Sequence, residues 1–196
     1  MERGTLSVYI AKAIGYAVVT DNAQISGYAV VEGNAKVTGY VKVCNNAIVS
    51  GNAIVSDNAV VGGNAKVSGY AKVCNNAEVC GSAHVSGNAV VSGHARISVY
   101  AAVYDNAVVG GKAHVRGNAR ITCDARVEGR AIVSGYAEVS DNAKVIGNAM
   151  VCDRAQVKGN AIVSGIAKVY GDAIIEGDVS ISSEWIIDVH WWRDVP

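Results

Sequence analysis

Apolar and polar residues alternate along this chain with a period of six. Residues 10–183 divide into 29 consecutive hexads of the form xAxVxG, without an insertion or a deletion. The second position is Ala in 27 hexads, and the fourth position is Val or Ile in 28. Because these positions are two residues apart, they share one face of an extended strand, whereas positions three and five lie on the other face. The pattern predicts a short strand in every hexad, with Ala and Val pointing inward.

The residues between these strands are typical of tight corners. The sixth position is Gly in 19 hexads and Asp or Asn in seven more, and the first position is Asn in 13. These residues tolerate left-handed backbone conformations, so we expect the chain to bend every six residues. A helix needs a period of about 3.6 residues and would not keep Gly at every sixth position. The pattern therefore predicts a parallel β-solenoid whose coils stack about 4.8 Å apart.

The hexads resemble those of the hexapeptide-repeat, left-handed parallel β-helix family. In that family a small residue precedes an aliphatic residue by two positions, which matches positions two and four over residues 10–183. The resemblance implies an all-β, triangular solenoid with about 18 residues per coil and nearly ten coils. It also implies a left-handed connection, which departs from the usual right-handed crossover rule. The chain resembles in particular the repeat-only members found in bacteria and their phages, whose activity is generally unassigned.

Composition excludes several classes of function. The 196 residues hold 17 Lys plus Arg and 17 Asp plus Glu, so the formal net charge is zero. Such a chain has no electrostatic footprint for nucleic acid or anionic lipid. Its apolar residues come in runs of no more than six, whereas a membrane-spanning helix needs roughly 18. We expect a soluble, cytoplasmic protein.

Cysteine usage agrees with that compartment. The five cysteines are Cys44, Cys74, Cys80, Cys123 and Cys152. They form no CxxC pair, and their number is odd, which favours free thiols in a reducing cytoplasm. We expect neither a metal site nor a cofactor.

Two histidines are candidates for catalysis. The family resemblance brings in acyltransferases, which work as trimers and use a His together with projecting loops that shape the substrate clefts. The unbroken hexads leave no such loop. If three hexads form a coil, His94 and His114 share a side and lie one coil apart, with Cα atoms roughly 8 Å from each other. His84 lies on another side. An acyltransferase-type enzyme with an intersubunit site, and with His94 or His114 as base, is therefore an alternative function.

One outward row of side chains is a candidate interface. The third position of every third hexad gives Val18, Lys36, Ile54, Lys72, Val90, Val108, Arg126, Lys144 and Ile162. Five of these residues are apolar, four are basic and none is acidic. An exposed apolar stripe can mark a protein interface, although the β-propensity of Val and Ile on an exposed strand is sufficient to account for much of it.

The chain leaves the hexad frame after Ser183. We expect an N-terminal cap over residues 1–9, the solenoid over 10–183, and a Trp-rich C-terminal cap or docking tail over 184–196. As a cap, large rings would cover the open apolar end of the last coil. As a docking tail, the segment would anchor a partner or a second copy, since Trp and Arg dominate binding hot spots. Its candidate interface residues are Trp185, Trp191, Trp192 and Arg193.

A near-duplication within the chain indicates a function that depends on the length of the solenoid and not on a site at one fixed place. Residues 34–63 and 64–93 agree at 22 of 30 positions. Because five hexads are not a whole number of three-hexad coils, the second copy is rotated by two sides of the prism. The sequence therefore predicts a non-catalytic structural or interaction solenoid that associates with itself or with another protein, and with neither nucleic acid nor membrane. End-to-end filament formation is a further alternative.

Overall fold

The computed structural model describes residues 5–6, 11–183 and 186–187. These residues form 31 short strands, and no helix occurs among them. The strands pair in parallel into three sheets, and three consecutive strands, one from each sheet, close one coil. The predicted all-β parallel solenoid, with three sides and three hexads per coil, is confirmed. The handedness of the coil stays a prediction from the resemblance.

Each sheet forms one side of a prism, and the sheets are numbered by their first strand. Sheet 1 contains β1 (Thr5–Leu6), β4 (Gln24–Ile25), β7 (Lys42–Val43), β10 (Val60–Val61), β13 (Glu78–Val79), β16 (Arg96–Ile97), β19 (His114–Val115), β22 (Ile132–Val133), β25 (Met150–Val151), β28 (Lys168–Tyr170) and β31 (Ile186–Ile187). Sheet 2 contains β2 (Lys12–Gly15), β5 (Val30–Gly33), β8 (Ile48–Val49), β11 (Lys66–Val67), β14 (His84–Val85), β17 (Ala102–Val103), β20 (Arg120–Ile121), β23 (Glu138–Val139), β26 (Gln156–Val157) and β29 (Ile174–Ile175). Sheet 3 contains β3 (Val18–Val19), β6 (Lys36–Val37), β9 (Ile54–Val55), β12 (Lys72–Val73), β15 (Val90–Val91), β18 (Val108–Val109), β21 (Arg126–Val127), β24 (Lys144–Val145), β27 (Ile162–Val163) and β30 (Ser180–Ile181).

The core follows the hexad pattern. Every second-position and fourth-position side chain from Ala23 to Ile175 is completely buried, and all of them are Ala, Val or Ile. Among the described residues, no polar or charged side chain is buried with them. The coils are joined by backbone hydrogen bonds, such as the Lys72 N–H to the Ala89 carbonyl oxygen at 2.9 Å. The prism thus has a thin, aliphatic interior and places positions one, three and five outside.

The corners take the predicted left-handed conformation. The sixth position has a positive φ in the first 28 hexads, at 19 Gly and nine other residues. At Gly63, φ is 70° and a Cβ would lie 2.7 Å from the carbonyl oxygen of Gly81 in the next coil. The Asp residues at these corners accept a backbone N–H from the next coil, as where Asp57 Oδ2 accepts the Asn75 N–H at 2.8 Å. Val99 (φ 65°) and Cys123 (φ 57°) are the exceptions to the Gly, Asp or Asn rule at these corners.

The regular register ends where the hexad frame ends. Thr5 pairs with Gln24, and Val169 pairs with Ile186. Paired residues of regular coils are 18 positions apart in the sequence, as Lys72 and Val90 are. Thr5 and Gln24 are 19 positions apart, and Val169 and Ile186 are 17 positions apart. Backbone pairing therefore extends past residues 10–183 in both directions, with a shift in register at each end. Of the residues that the structure describes, none belongs to a helix long and apolar enough to cross a bilayer.

Candidate interaction surfaces

The predicted apolar and basic row forms a straight line on sheet 3. Its members pair in register from each strand to the next, as in Lys72 with Val90 and Val90 with Val108. The four basic side chains are exposed and the apolar ones are half-buried, apart from Val18, which is 41% exposed. Among the described residues, no carboxylate forms an ion pair with any of the four cations. We call this row the apolar-basic face.

The corner beside this face carries ladders of side-chain amides. Asn88 Nδ2 donates to Asn106 Oδ1 at 3.0 Å, and Asn106 Nδ2 donates to Asp124 Oδ1 at 3.1 Å. A second ladder joins Asn142, Asn160 and Asp178. These side chains hydrogen-bond one another from coil to coil, so they stabilise the corner.

His94 and His114 lie near each other on sheet 1, as predicted. His114 pairs in register with Arg96, and His94 precedes Arg96 by two residues, whereas His84 lies on sheet 2. Both side chains are exposed. Neither imidazole makes a hydrogen bond to another described residue. A catalytic base is usually oriented by a hydrogen-bond partner, and the described residues supply none to either ring.

The cysteine thiols are free and half-buried. Burial raises the pKa of Cys74, Cys80 and Cys152. The neighbouring carboxylates of Asp57, Glu78 and Asp153 raise these three pKa values further. A raised pKa reduces the thiolate fraction, so these groups are poor nucleophiles and metal ligands at neutral pH. Within the described part of the chain, no group of three or more His, Cys, Asp or Glu is placed to hold a metal ion.

Sheet 2 carries a shallow depression that the sequence did not lead us to expect. It has a volume of about 230 Å³ and lies over Ala102. The residues around it come from three consecutive coils and are Ser82, His84, Tyr100, Tyr104, Asn118 and Arg120. Ala102 is the only Ala among the third positions of the 29 hexads. That single small residue was the signal in the sequence that could have revealed the site, which we call the Ala102 depression.

The candidate residues of the C-terminal segment lie outside the described residues. Trp185, Trp191, Trp192 and Arg193 are all in this group. Whether they cap the last coil or dock a partner stays a prediction.

This protein is a hexapeptide-repeat parallel β-solenoid, as the resemblance implied. Three features define that class: the coil has three sides, each strand pairs with the third strand after it, and the interior consists of Ala, Val and Ile. A family model described as the YdcK beta-solenoid repeat matches residues 49–63. No curated protein sequence is significantly similar to the chain.

Two solved structures are similar to the chain in fold. LpxA from Acinetobacter baumannii is 13% identical, with a TM-score of 0.42 over 88% of this chain and 67% of its own. The UDP-N-acetylglucosamine acyltransferase of Francisella novicida is 16% identical, with a TM-score of 0.41 and the same coverage. The likeness to both is one of fold alone.

Proposed function

We propose that this protein is a non-catalytic β-solenoid that serves as a binding scaffold for another protein, through the apolar-basic face. The observation that carries the proposal is the composition of that face. It combines half-buried aliphatic side chains with four cations that have no ion-pair partner among the described residues. Exposed apolar residues interleaved with unpaired charge of one sign are typical of a surface that a partner covers.

The dimensions of the face suit a protein partner. The row spans nine of the ten strands of sheet 3, so it is about 38 Å long, and the side of the prism on which it lies is about 13 Å wide. The projected area is therefore roughly 500 Å², or about 1,000 Å² counted over both partners, which is the size of a small specific interface. A partner that also reached an adjacent side of the prism would bury more.

The charge of the face indicates an acidic partner. Two copies of this chain packed through the same row would set cations against cations, with no acid of the row between them. An apolar surface with Asp or Glu on the partner would instead pair with Lys36, Lys72, Arg126 and Lys144. Another protein is therefore favoured over a second copy at this face.

The near-duplication supports a function that depends on length. Tyr40 begins a hexad of sheet 1, whereas its counterpart Tyr70 begins a hexad of sheet 3. Such a duplication scatters any site built on one side but preserves the continuous ladder of strands. A scaffold tolerates that change, whereas an active site with fixed neighbours does not.

Charge reversal on matched sides tests the proposal. The variant Lys72→Glu with Arg126→Glu changes the apolar-basic face, and Lys42→Glu with Lys112→Glu makes the same charge change on sheet 1. The unmodified chain and both variants are used as baits for cross-linking capture with quantitative mass spectrometry. We expect an acidic protein to be retained by the unmodified chain and the sheet 1 variant, and lost with the sheet 3 variant. Equal retention by all three baits would rule out this face as the interface.

Light scattering after size exclusion separates the scaffold from self-association. We expect the full chain and a chain ending at Ser183 to have the mass of a monomer. An oligomer seen only with the full chain would assign the interface to residues 184–196. A mass that grows with concentration would support end-to-end association.

The acyltransferase alternative rests on the proximity of His94 and His114. Calorimetric titration with coenzyme A tests it directly. We expect no binding. Saturable binding that disappears in both His94→Ala and His114→Ala would contradict the non-catalytic proposal.

A further inference from the structure

We propose that the Ala102 depression on sheet 2 is a binding site for an acidic, extended polypeptide segment, with one carboxylate of that segment seated over Ala102. This site lies on a different side of the prism from the apolar-basic face. Each of the two proposals can therefore fail without the other.

The depression forms because the small Ala102 side chain is surrounded by four large ones, those of His84, Tyr100, Tyr104 and Arg120. Ala102 pairs in register with His84 in one adjacent coil and with Arg120 in the other. Tyr100 lies in the corner two residues before Ala102, Tyr104 directly follows the strand, and both side chains line the depression. The small Ala floor is thus enclosed by an imidazole and a guanidinium at its ends and by a phenol ring at each side.

The chemistry of the lining selects an anion. None of the lining residues is acidic, and Arg120, Asn118, His84 and the two phenols can all donate hydrogen bonds. In the described structure these side chains make no hydrogen bond or ion pair with one another or with other residues. An Arg guanidinium pairs well with a carboxylate because its donors match the two oxygens.

Two cations of the prism are neutralised by ion pairs, in contrast to Arg120. Arg96 Nε lies 3.2 Å from Glu78 Oε2, and Lys158 Nζ lies 3.4 Å from Glu176 Oε2. Glu138 pairs in register with Arg120 on the far side from Ala102, yet it forms no ion pair with it. The guanidinium at the depression is therefore open to a carboxylate from outside the chain.

The backbone next to the depression is strained. Val99 immediately precedes Tyr100 and has a φ of 65°, a left-handed conformation that is unfavourable for a β-branched residue. Gly, Asp or Asn occupies 26 of the 29 sixth positions. Strained residues of this kind tend to persist at binding sites, where the surrounding structure holds them in place. Val99 thus marks the corner that presents Tyr100 to a ligand.

The open shape favours an extended segment over a free small molecule. A shallow depression encloses little of a small ligand, whereas typical small-molecule sites bury most of it. The cationic column continues past the depression, because Lys66 pairs in register with His84. Lys66 and Arg120 are three coils apart, or about 14 Å. Carboxylates at alternate residues of an extended peptide repeat every ~6.7 Å, so three of them span about 13 Å along this column.

A peptide titration tests the site. Capped hexaglutamate is added to the isotopically labelled full chain, and the imidazole Cε1–Hε1 signals are followed by NMR. We expect saturable shifts at His84, with His94 and His114 as internal controls that do not move. Equal shifts at all three imidazoles would indicate unspecific electrostatic attraction and would overturn the proposal.

Matched variants locate the peptide. Ala102→Ile fills the depression with a residue that third positions accept elsewhere, such as Ile48, so the fold is expected to survive. Arg120→Gln removes the cation, and Lys72→Gln makes the same charge change on sheet 3. We expect the first two variants to weaken binding by about tenfold or more and the third to leave it unchanged. Unchanged binding in Ala102→Ile would refute the seating over Ala102.

A second probe separates a segment from a free anion. We expect glucuronate to bind far more weakly than hexaglutamate, because it reaches only one cation of the column. If glucuronate bound as tightly as the peptide, the site would be a small-anion site and the polypeptide ligand would be wrong.

Discussion

Val99 offers a sharp test of how the corners govern stability. The sixth position of the first 28 hexads is left-handed, and Val99 is its only β-branched residue. In this conformation the Cβ is crowded by the neighbouring carbonyl oxygen, which costs about 1–2 kcal/mol in a residue other than Gly. Val99→Gly removes the Cβ and keeps the backbone path.

The expected net effect is small because opposing terms nearly cancel. Val99 is 46% exposed, so its removal also loses the packing of the buried half of the residue, about 1 kcal/mol. Gly also loses more conformational entropy on folding, which offsets about 0.5–1 kcal/mol of the relieved strain. We expect Val99→Gly to leave the free energy of unfolding unchanged within about 1 kcal/mol.

The same substitution in a strand supplies the control. Val60 occupies the third position of β10 and is half-buried on the outer face of sheet 1. Val60→Gly loses cross-strand packing and adds Gly entropy, so we expect a loss of about 1–2 kcal/mol. Val60→Gly should therefore destabilise the chain by about 1–2 kcal/mol more than Val99→Gly does.

Urea unfolding monitored by circular dichroism measures the free energy of unfolding of both variants. Hydrogen exchange of the neighbouring strand amides gives a local measure of stability that does not require two-state unfolding. If Val99→Gly destabilised the chain as Val60→Gly does, the reasoning about corner strain would be wrong. A gain in stability that coincided with weaker hexaglutamate binding would link this strain to the Ala102 depression.

Two further predictions concern the surface. Asn106→Ala breaks two ladder hydrogen bonds on an exposed corner and should lower the free energy of unfolding by about 0.5–1 kcal/mol in the same urea assay. Asn76→Ala is the control, because the exposed Asn76 amide has no side-chain partner in the described structure. We expect this variant to be nearly neutral. Cys80 has a pKa raised first by burial and then by Glu78. Glu78→Gln should therefore lower the pKa of Cys80, so that its labelling by iodoacetamide begins at lower pH. Mass spectrometry measures the labelling of each thiol, and we expect the labelling of Cys152 to be unchanged. Equal changes at both thiols would contradict the electrostatic cause.

Several features of the fold could be predicted because they depend on local periodicity. A spacing of two residues fixes which side chains share a strand face, so the inward Ala and Val were evident from the hexads. Gly, Asp and Asn at the sixth position identified the corners, because few other residues adopt a positive φ. The apolar-basic face also followed from the sequence once three hexads per coil were assumed from the resemblance.

The sites were harder to predict because they depend on neighbours from different coils. The Ala102 depression needs His84 and Arg120, each one full coil away, to flank one small residue, and a hexad template treats all third positions alike. The open guanidinium of Arg120 was likewise hidden, since it depends on Glu138 not forming an ion pair with it. Charge counts along the chain carry no such information.

The sequence by itself determined the strands, their inward faces and their corners, because each of these arises within a single hexad. The tertiary structure decided the number of sides per coil, the shifted pairings at the two ends, and the depression over Ala102. The physical reason is that the hexad period fixes where the chain bends, whereas closure after three bends depends on hydrogen bonds between residues one full coil apart.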